Sequence, residues 1–193
     1  MTEANPTREK ILRACWDLLE GGDTKVRMSD IAKTAGVSRQ AVYLHFPSRA
    51  ELLIATTRFI DEVEKVDERL ARSRAATTGR ERLDAYIDAW GNYIPRIYGV
   101  GRAMMAMMDG DEEAHTAWQG RMMAMRHGCE AAVNALDRDG DLVAGVSVEG
   151  ATDALWMLLS VRNWEHLVQD RGWTQDAYIA EIKRLARASF VRA

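Results

Sequence analysis

Little in this 193-residue sequence invites cross-linking, strand formation or a membrane. Cysteine is down to two residues, Cys15 and Cys129, far apart and each on an apolar helical stripe. Free core thiols in a reducing compartment are therefore expected, not a disulfide. Only three prolines are present and no stretch alternates like a strand for long, so an all-helical chain is the economical reading. No run of 18 apolar residues occurs, and no membrane association is expected. The opening MTEANPTREK is polar and charged, unlike a signal peptide, and the expected location is cytoplasmic. Catalytic signatures are missing too: there is no nucleophile elbow, no metal-spaced histidine pair and no phosphate-cradling glycine loop. The four histidines, His45, His115, His127 and His166, are scattered, so neither an enzyme nor a cofactor is expected. The acidic stretch beginning at Asp137 would need Gly and Glu, for calcium, where Leu142 and Val148 stand. It is read as a solvated interhelical loop, with no metal site.

What is present is an ordinary globular composition, 47% hydrophobic and 28% charged, with an uneven charge. Residues 1–60 carry nine Lys/Arg against seven Asp/Glu, a balance of +2, while the remainder carries 17 against 22, a balance of −5. A modest basic footprint at one end suits a polyanionic partner there.

The stretch Ser29 to Leu53 organises the chain. It reads as two short helices crossing at a tight turn and leading into a third, long one. Ile31 and Ala32 give the first an apolar face, Gly36 suits a left-handed position past its end, and Val37 turns inward. Ser38 is placed to cap a helix over Arg39 to His45, about two turns or ~12 Å long. Ala41, Val42 and Leu44 are apolar, so some of them must pack inward, leaving Arg39, Gln40, Tyr43 and His45 to point elsewhere. Such a helix fits a major groove about 12 Å wide, where Arg39 can pair with guanine and Gln40 with adenine. Tyr43 and His45 suit phosphate oxygens. Ahead of this stretch, Pro6 and Thr7 start a helix running to Glu20 after a loose tail over residues 1–5. Thr7 and Arg8 are read either as phosphate contacts or as a cap and a solvated charge.

In DIAKTAGVS, in Tyr43-Leu44-His45-Phe46 and in Ser48-Arg49-Ala50-Glu51-Leu52, the sequence resembles the tetracycline-repressor (TetR) family of transcriptional regulators. The resemblance covers about residues 7 to 55. Arg49 stands where the family usually has Lys, keeping a cation near a phosphate. Val26 and Arg27 replace a common Thr pair, which leaves Ser29 to cap the first short helix and Arg27 to meet a phosphate. The DNA-facing set is then Arg27, Ser29, Ser38, Arg39, Gln40, Tyr43, His45 and Arg49. The resemblance implies an all-α fold of about nine helices, with a three-helix helix-turn-helix domain over 1–48 and a ligand-binding and dimerisation domain over 49–193. Its connecting helix, about 49–73, would swing when a ligand binds.

Further along, a helix over Glu81 to Tyr98 should be kinked by Pro95 and ended by Gly99 and Gly101. Seven methionines then fall between residues 104 and 125. They either line an adaptable pocket or form plain core, and Trp118, Met122, Met125, Cys129, Ala132 and Leu136 make one clean helical stripe. A helix over Gly145 to Asp170 is apolar nearly all round from Ala154 to Val161, and a last one runs from Thr174 to Arg192. The candidate lining for an apolar or aromatic effector is Phe59, Trp90, Tyr93, Met104, Met108, Trp118, Met122 and Trp156, with Asn163, Arg162 and His166 for polar orientation. Two C-terminal helices from each of two chains would form a four-helix dimer interface, through Leu158, Arg162, Tyr178, Ile182 and Leu185. A homodimer suits a palindromic double-stranded operator with half-sites ~34 Å or more apart. The expectation is a repressor released by a small molecule; the alternative is a DNA-binding dimer whose C-terminal domain takes no effector.

Overall fold

The computed structural model describes residues 5–23 and 25–192. Among them are eleven α-helices: α1 (Pro6–Glu20), α2 (Met28–Ala35), α3 (Arg39–His45), α4 (Arg49–Val63), α5 (Val66–Ala75), α6 (Gly79–Gly91), α7 (Ile94–Met107), α8 (Glu112–Arg138), α9 (Val148–Leu158), α10 (Val161–Trp164) and α11 (Gln175–Phe190). A π-helical turn, Glu165–Asp170, follows α10, and Leu142 bridges to Val191. The tail expected over residues 1–5 lies, Asn5 apart, outside the described residues. No helix among those residues is long and apolar enough to cross a membrane.

The all-helical reading holds, but with eleven helices in place of about nine, because three long segments are divided. The helix expected from Arg49 to Ser73 stops at Val63, since Lys65 takes a left-handed conformation with φ 55°. Its ladder ends with the Glu64 N–H on the Ile60 carbonyl and restarts with the Arg69 N–H on the Lys65 carbonyl. No glycine or proline marks that point. Pro95 is the second residue of α7 and does not kink a longer helix, because a first-turn residue needs no intrahelical donor. Gly99 and Gly101 lie inside α7. A Cβ on Gly99 would come within 3.1 Å of the Glu20 carbonyl oxygen, so that glycine serves a close approach and ends nothing. The segment from Gly145 to Asp170 breaks at Ser160, whose side chain caps α10 at the Asn163 N–H.

By packing, the chain falls into two units. The first comprises the described residues of Met1–Glu64 and Ile97–Arg121, the second those of Lys65–Arg96 and Met122–Ala193. In the first, α1 packs on α2, α3 and α4. Ile11, Leu12, Cys15 and Leu19 meet there with Ile31, Val42, Leu52, Leu53 and Ile60, all at 2% exposure or less. Burying each such side chain stabilises by roughly 1.5–3 kcal/mol. Asn5 caps α1 by accepting from the Thr7 and Arg8 N–H groups.

In the second unit α6 packs on α5 and α11, and α11 on α9. Tyr86 donates its hydroxyl to the Met125 carbonyl at 2.7 Å, and Trp90 its indole N–H to the Leu159 carbonyl at 3.0 Å. Tyr178 and Ile182 are also buried in this single-chain core. They sit on the apolar stripe that packs α11 on α6 and α9 of the same unit. The stripe of α8 from Met122 to Leu136 is buried throughout, as its spacing predicts.

Candidate nucleic-acid interface

Local signals alone build the turn between α2 and α3. Gly36 has φ 66° and its N–H closes on α2, while a Cβ there would meet nothing within 4 Å. Glycine is required for conformation, not space, at ~1–2 kcal/mol for another residue. Ser38, extended, then accepts the Ala41 N–H at 3.1 Å and starts α3 where its sequence places it. Val42 is fully buried against the unit's core, and Phe46 just beyond the helix is buried too. These two anchors fix which side of α3 turns outward.

That outward side carries Arg39, Gln40, Tyr43 and Leu44, all exposed. Arg39 folds along its own helix: its guanidinium lies 5.5 Å from the Tyr43 ring centre and 3.4 Å from the Tyr43 hydroxyl. That hydrogen bond raises the Arg39 pKa above its already high ordinary value. Gln40 is free to offer its amide. Leu44 is the surprise of the face. It is 79% exposed, although its apolar character made it a candidate for the inward side. The signal that could have found it is positional: one residue past Tyr43 and two past Val42, it cannot share the side Val42 buries.

Arg27 is exposed just before α2. Ser29 is not the cap expected of it. It is the second residue of α2, 3.5 Å from the Asp30 carboxylate, and Arg27 takes the cap position without a side-chain bond. The buried Met28 side chain sets where α2 begins, ahead of any hydroxyl. His45 is half-buried and lines a surface groove with Arg8, Phe46, Arg58 and Phe59. Arg8 stacks 5.1 Å above the Phe46 ring, which joins α1 to the end of α3.

Arg49 departs furthest from its expected place near a phosphate. Its Nε donates to the Val26 carbonyl at 2.6 Å, and its Nη1 to both Asp111 oxygens at 2.7 and 3.0 Å and to Glu113 at 3.3 Å. Only 15% of its side chain is exposed. Two carboxylates that sit at the start of α8 hold the guanidinium inside the first unit, and the planar fork can serve them and the backbone together as an ammonium could not.

The candidate effector residues are divided between the units. Phe59, Met104, Met108 and Trp118 fall in the first; Trp90, Tyr93, Met122, Trp156 and Asn163 in the second. Phe59 packs edge-on to Trp16 at 6.4 Å, between α1 and α4. In the second unit Trp90 meets Tyr93 at 5.6 Å, and Trp156 donates to the Met122 carbonyl at 3.2 Å. Asn163 spends its amide on the Met157 carbonyl. Trp90, Tyr93, Met104, Trp118 and Met122 are buried. Of the interface candidates, Leu158, Arg162 and Leu185 reach the surface, and Met157 on α9 is 56% exposed. Arg162 pairs with Glu165, and His166 with Asp170.

Residues 11–56 match the family model described as bacterial regulatory proteins, tetR family. The HTH-type transcriptional regulator BetI of Rhizobium meliloti is 41% identical over 85 residues, which are 42% of this chain and 41% of that protein. The match thus spans about two fifths of that curated relative. Among solved structures, a transcriptional regulator from Saccharomonospora viridis, in complex with choline, superposes with a TM-score of 0.74 at 18% identity, covering 96% of this chain and 98% of that one. NalD of Pseudomonas aeruginosa, the secondary repressor of the MexAB-OprM multidrug efflux pump, does so at 0.68 with 26% identity over 96% of both chains.

Proposed function

We propose that this chain, whose residues 11–56 match the family model of tetR bacterial regulatory proteins, is a dimeric, sequence-specific DNA-binding regulator of transcription, acting by binding and not by turnover. The observation that carries the reading is the outward face of α3, where Arg39, Gln40 and Tyr43 stand exposed on a helix anchored behind by Val42. A side chain bidentate to a base edge discriminates by about 1–3 kcal/mol, and two half-sites read by two copies multiply that discrimination. Residues 1–48 form the DNA-reading part, with Arg27, Ser29, Ser38 and His45 nearest the backbone. Residues 49–193 carry dimerisation, through the surface of α9 to α11 that holds Leu158, Arg162 and Leu185. NalD, similar along nearly the whole chain, is a repressor, which supports repression as the sign of control.

Release by an apolar or aromatic small molecule completes the proposal. Such a ligand must bind better to the conformation whose recognition helices are wrongly spaced, since equal affinity for both shifts nothing. The aromatic and methionine side chains of each unit supply adaptable apolar surface. Their burial also favours a second reading, in which they are core alone and no effector exists.

Fluorescence anisotropy against duplexes enriched from a random 30-base-pair library tests the DNA reading. The expected result is saturable binding that survives random competitor, with two or four chains per site. Binding abolished by competitor, with only a steep salt slope left, overturns it. Tryptophan fluorescence under a library of hydrophobic compounds separates the two effector readings.

A further inference from the structure

The leucine of α3 that faces solvent is not part of the core. At 79% exposure Leu44 is more open than any other large apolar side chain among the described residues, the next being Met157 at 56%. Its side chain stands mostly in solvent, while Val42 and Phe46, both buried, anchor α3. Its neighbours on the same face are Gln40, one turn before it, and the Arg39–Tyr43 pair beside it. An isolated leucine set among an arginine, an amide and a phenol is no surface for protein association, which gathers several apolar groups. It lies on the face that the function assigns to base edges.

In the major groove a base pair shows hydrogen-bonding groups and one apolar group, the C5 methyl of thymine. We propose that Leu44 is a specificity-determining residue that seats this methyl group in each operator half-site. The inference rests on α3 entering the major groove as proposed above. Gln40 and Leu44 stand four residues apart, so they address positions about one helical turn, ~5.4 Å, apart along the groove. The amide reads a hydrogen-bonding edge and the leucine reads a methyl. Arg39, held by Tyr43, forms a second row that addresses neighbouring positions. The half-site therefore contains a thymine that is recognised by shape and apolar contact without any hydrogen bond.

The test uses the full chain and duplexes enriched by it from a random library. Each thymine of the enriched site is replaced singly by deoxyuridine, which removes the methyl and leaves every hydrogen-bonding group. One position in each half-site should then weaken binding by about fourfold, the worth of one buried methyl-sized group. Leu44→Ala should bind the thymine and deoxyuridine duplexes equally at that position, while its melting temperature stays at the parent value because the side chain is solvated. A selection repeated with Leu44→Ala should lose the thymine preference at that column and keep the others. If the parent chain binds its enriched site but every thymine-to-deoxyuridine change acts alike on parent and Leu44→Ala, the assignment of Leu44 is overturned and the DNA reading stands. If no duplex is enriched at all, the DNA reading itself fails, and this inference with it.

Discussion

The helices around α3 and the aromatic interior of the second unit keep their chemistry in opposite places. On α3, Arg39, Gln40, Tyr43 and Leu44 stand in solvent, and the anchors beneath them are a valine and a phenylalanine. In the second unit Trp90, Tyr93 and Met122 are buried, and the Trp90 indole N–H goes to the Leu159 carbonyl of the same unit. A surface that reads a rigid, hydrated polyanion must be preformed and open. A surface that takes a small apolar molecule has to be inside, where water is excluded, and is built from the same residues as a core. Substitutions should separate accordingly: the first region changes recognition at constant stability, the second changes stability first.

The largest effect is expected in the second unit. Trp90→Ala removes a buried indole and its hydrogen bond to the Leu159 carbonyl, and urea denaturation should show a loss of ~3–5 kcal/mol. Base preference in the remaining folded protein should be unchanged. A shift in preference would mean that the two regions are not separable.

Arg49 sharpens the comparison because it starts α4, in the same unit as α3, yet is treated like core. Arg49→Ala leaves Asp111 and Glu113 facing each other without their cation and should cost ~1–3 kcal/mol in thermal or urea unfolding. Arg49→Lys should recover only part, since an ammonium cannot serve the Val26 carbonyl and both carboxylates at once. The salt dependence of DNA binding should be unaltered by either change. A slope reduced by about one would restore Arg49 as a phosphate contact.

Arg39→Ala should cost ~1–3 kcal/mol on the preferred duplex and little on random DNA, with the melting temperature unmoved. Tyr43→Phe should weaken all duplexes alike and by less. Equal losses on both duplexes for Arg39→Ala would remove it as a base reader. Ser38→Ala should cost ~1 kcal/mol of stability through the lost cap on α3.

The smallest effect is a null one that compares the units directly, since Cys15 lies in the first and Cys129 in the second. Burial pushes the Cys15 thiol up to about 11 and the Cys129 thiol up to about 12. Both should stay protonated and unlabelled by a thiol-specific reagent at pH 8, reacting only as urea opens their units. The same shifts fix the sign on the alkaline side. A thiol whose folded pKa is raised contributes fully below about pH 9, and its contribution is lost as pH rises toward 11 or 12. Labelling of either cysteine under native conditions would expose a local opening that its burial does not suggest.

How much could be read in advance follows the same divide. The limits of α1 and α3, the Gly36 turn and the Ser38 cap were all legible, because each is written in one or two adjacent residues. Ser29 has the right chemistry for a cap, but Met28 and its packing begin α2 two residues earlier than that cap would. The break at Lys65 carried no local mark, for a lysine enters the left-handed region only when its surroundings hold it there. Gly99 looked like a helix end because a missing Cβ reads the same whether it serves a turn or a close approach. Tyr178 and Ile182 had the right spacing for a buried stripe, but spacing does not say whether the partner helix belongs to the same chain.

By itself, the sequence determined the helical class, the helix-turn-helix register and the outward placing of Arg39, Gln40 and Tyr43 on α3. Those follow from periodicity, capping and turn chemistry, which act over a few residues. Only the tertiary structure decided that Val42 and not Leu44 is the buried anchor of α3, that Arg49 belongs to Asp111 and Glu113, 62 and 64 residues away, and that Lys65 ends a helix. Each of these is settled by which distant groups arrive nearby, and a neighbour brought in by folding has no signature in the local chain.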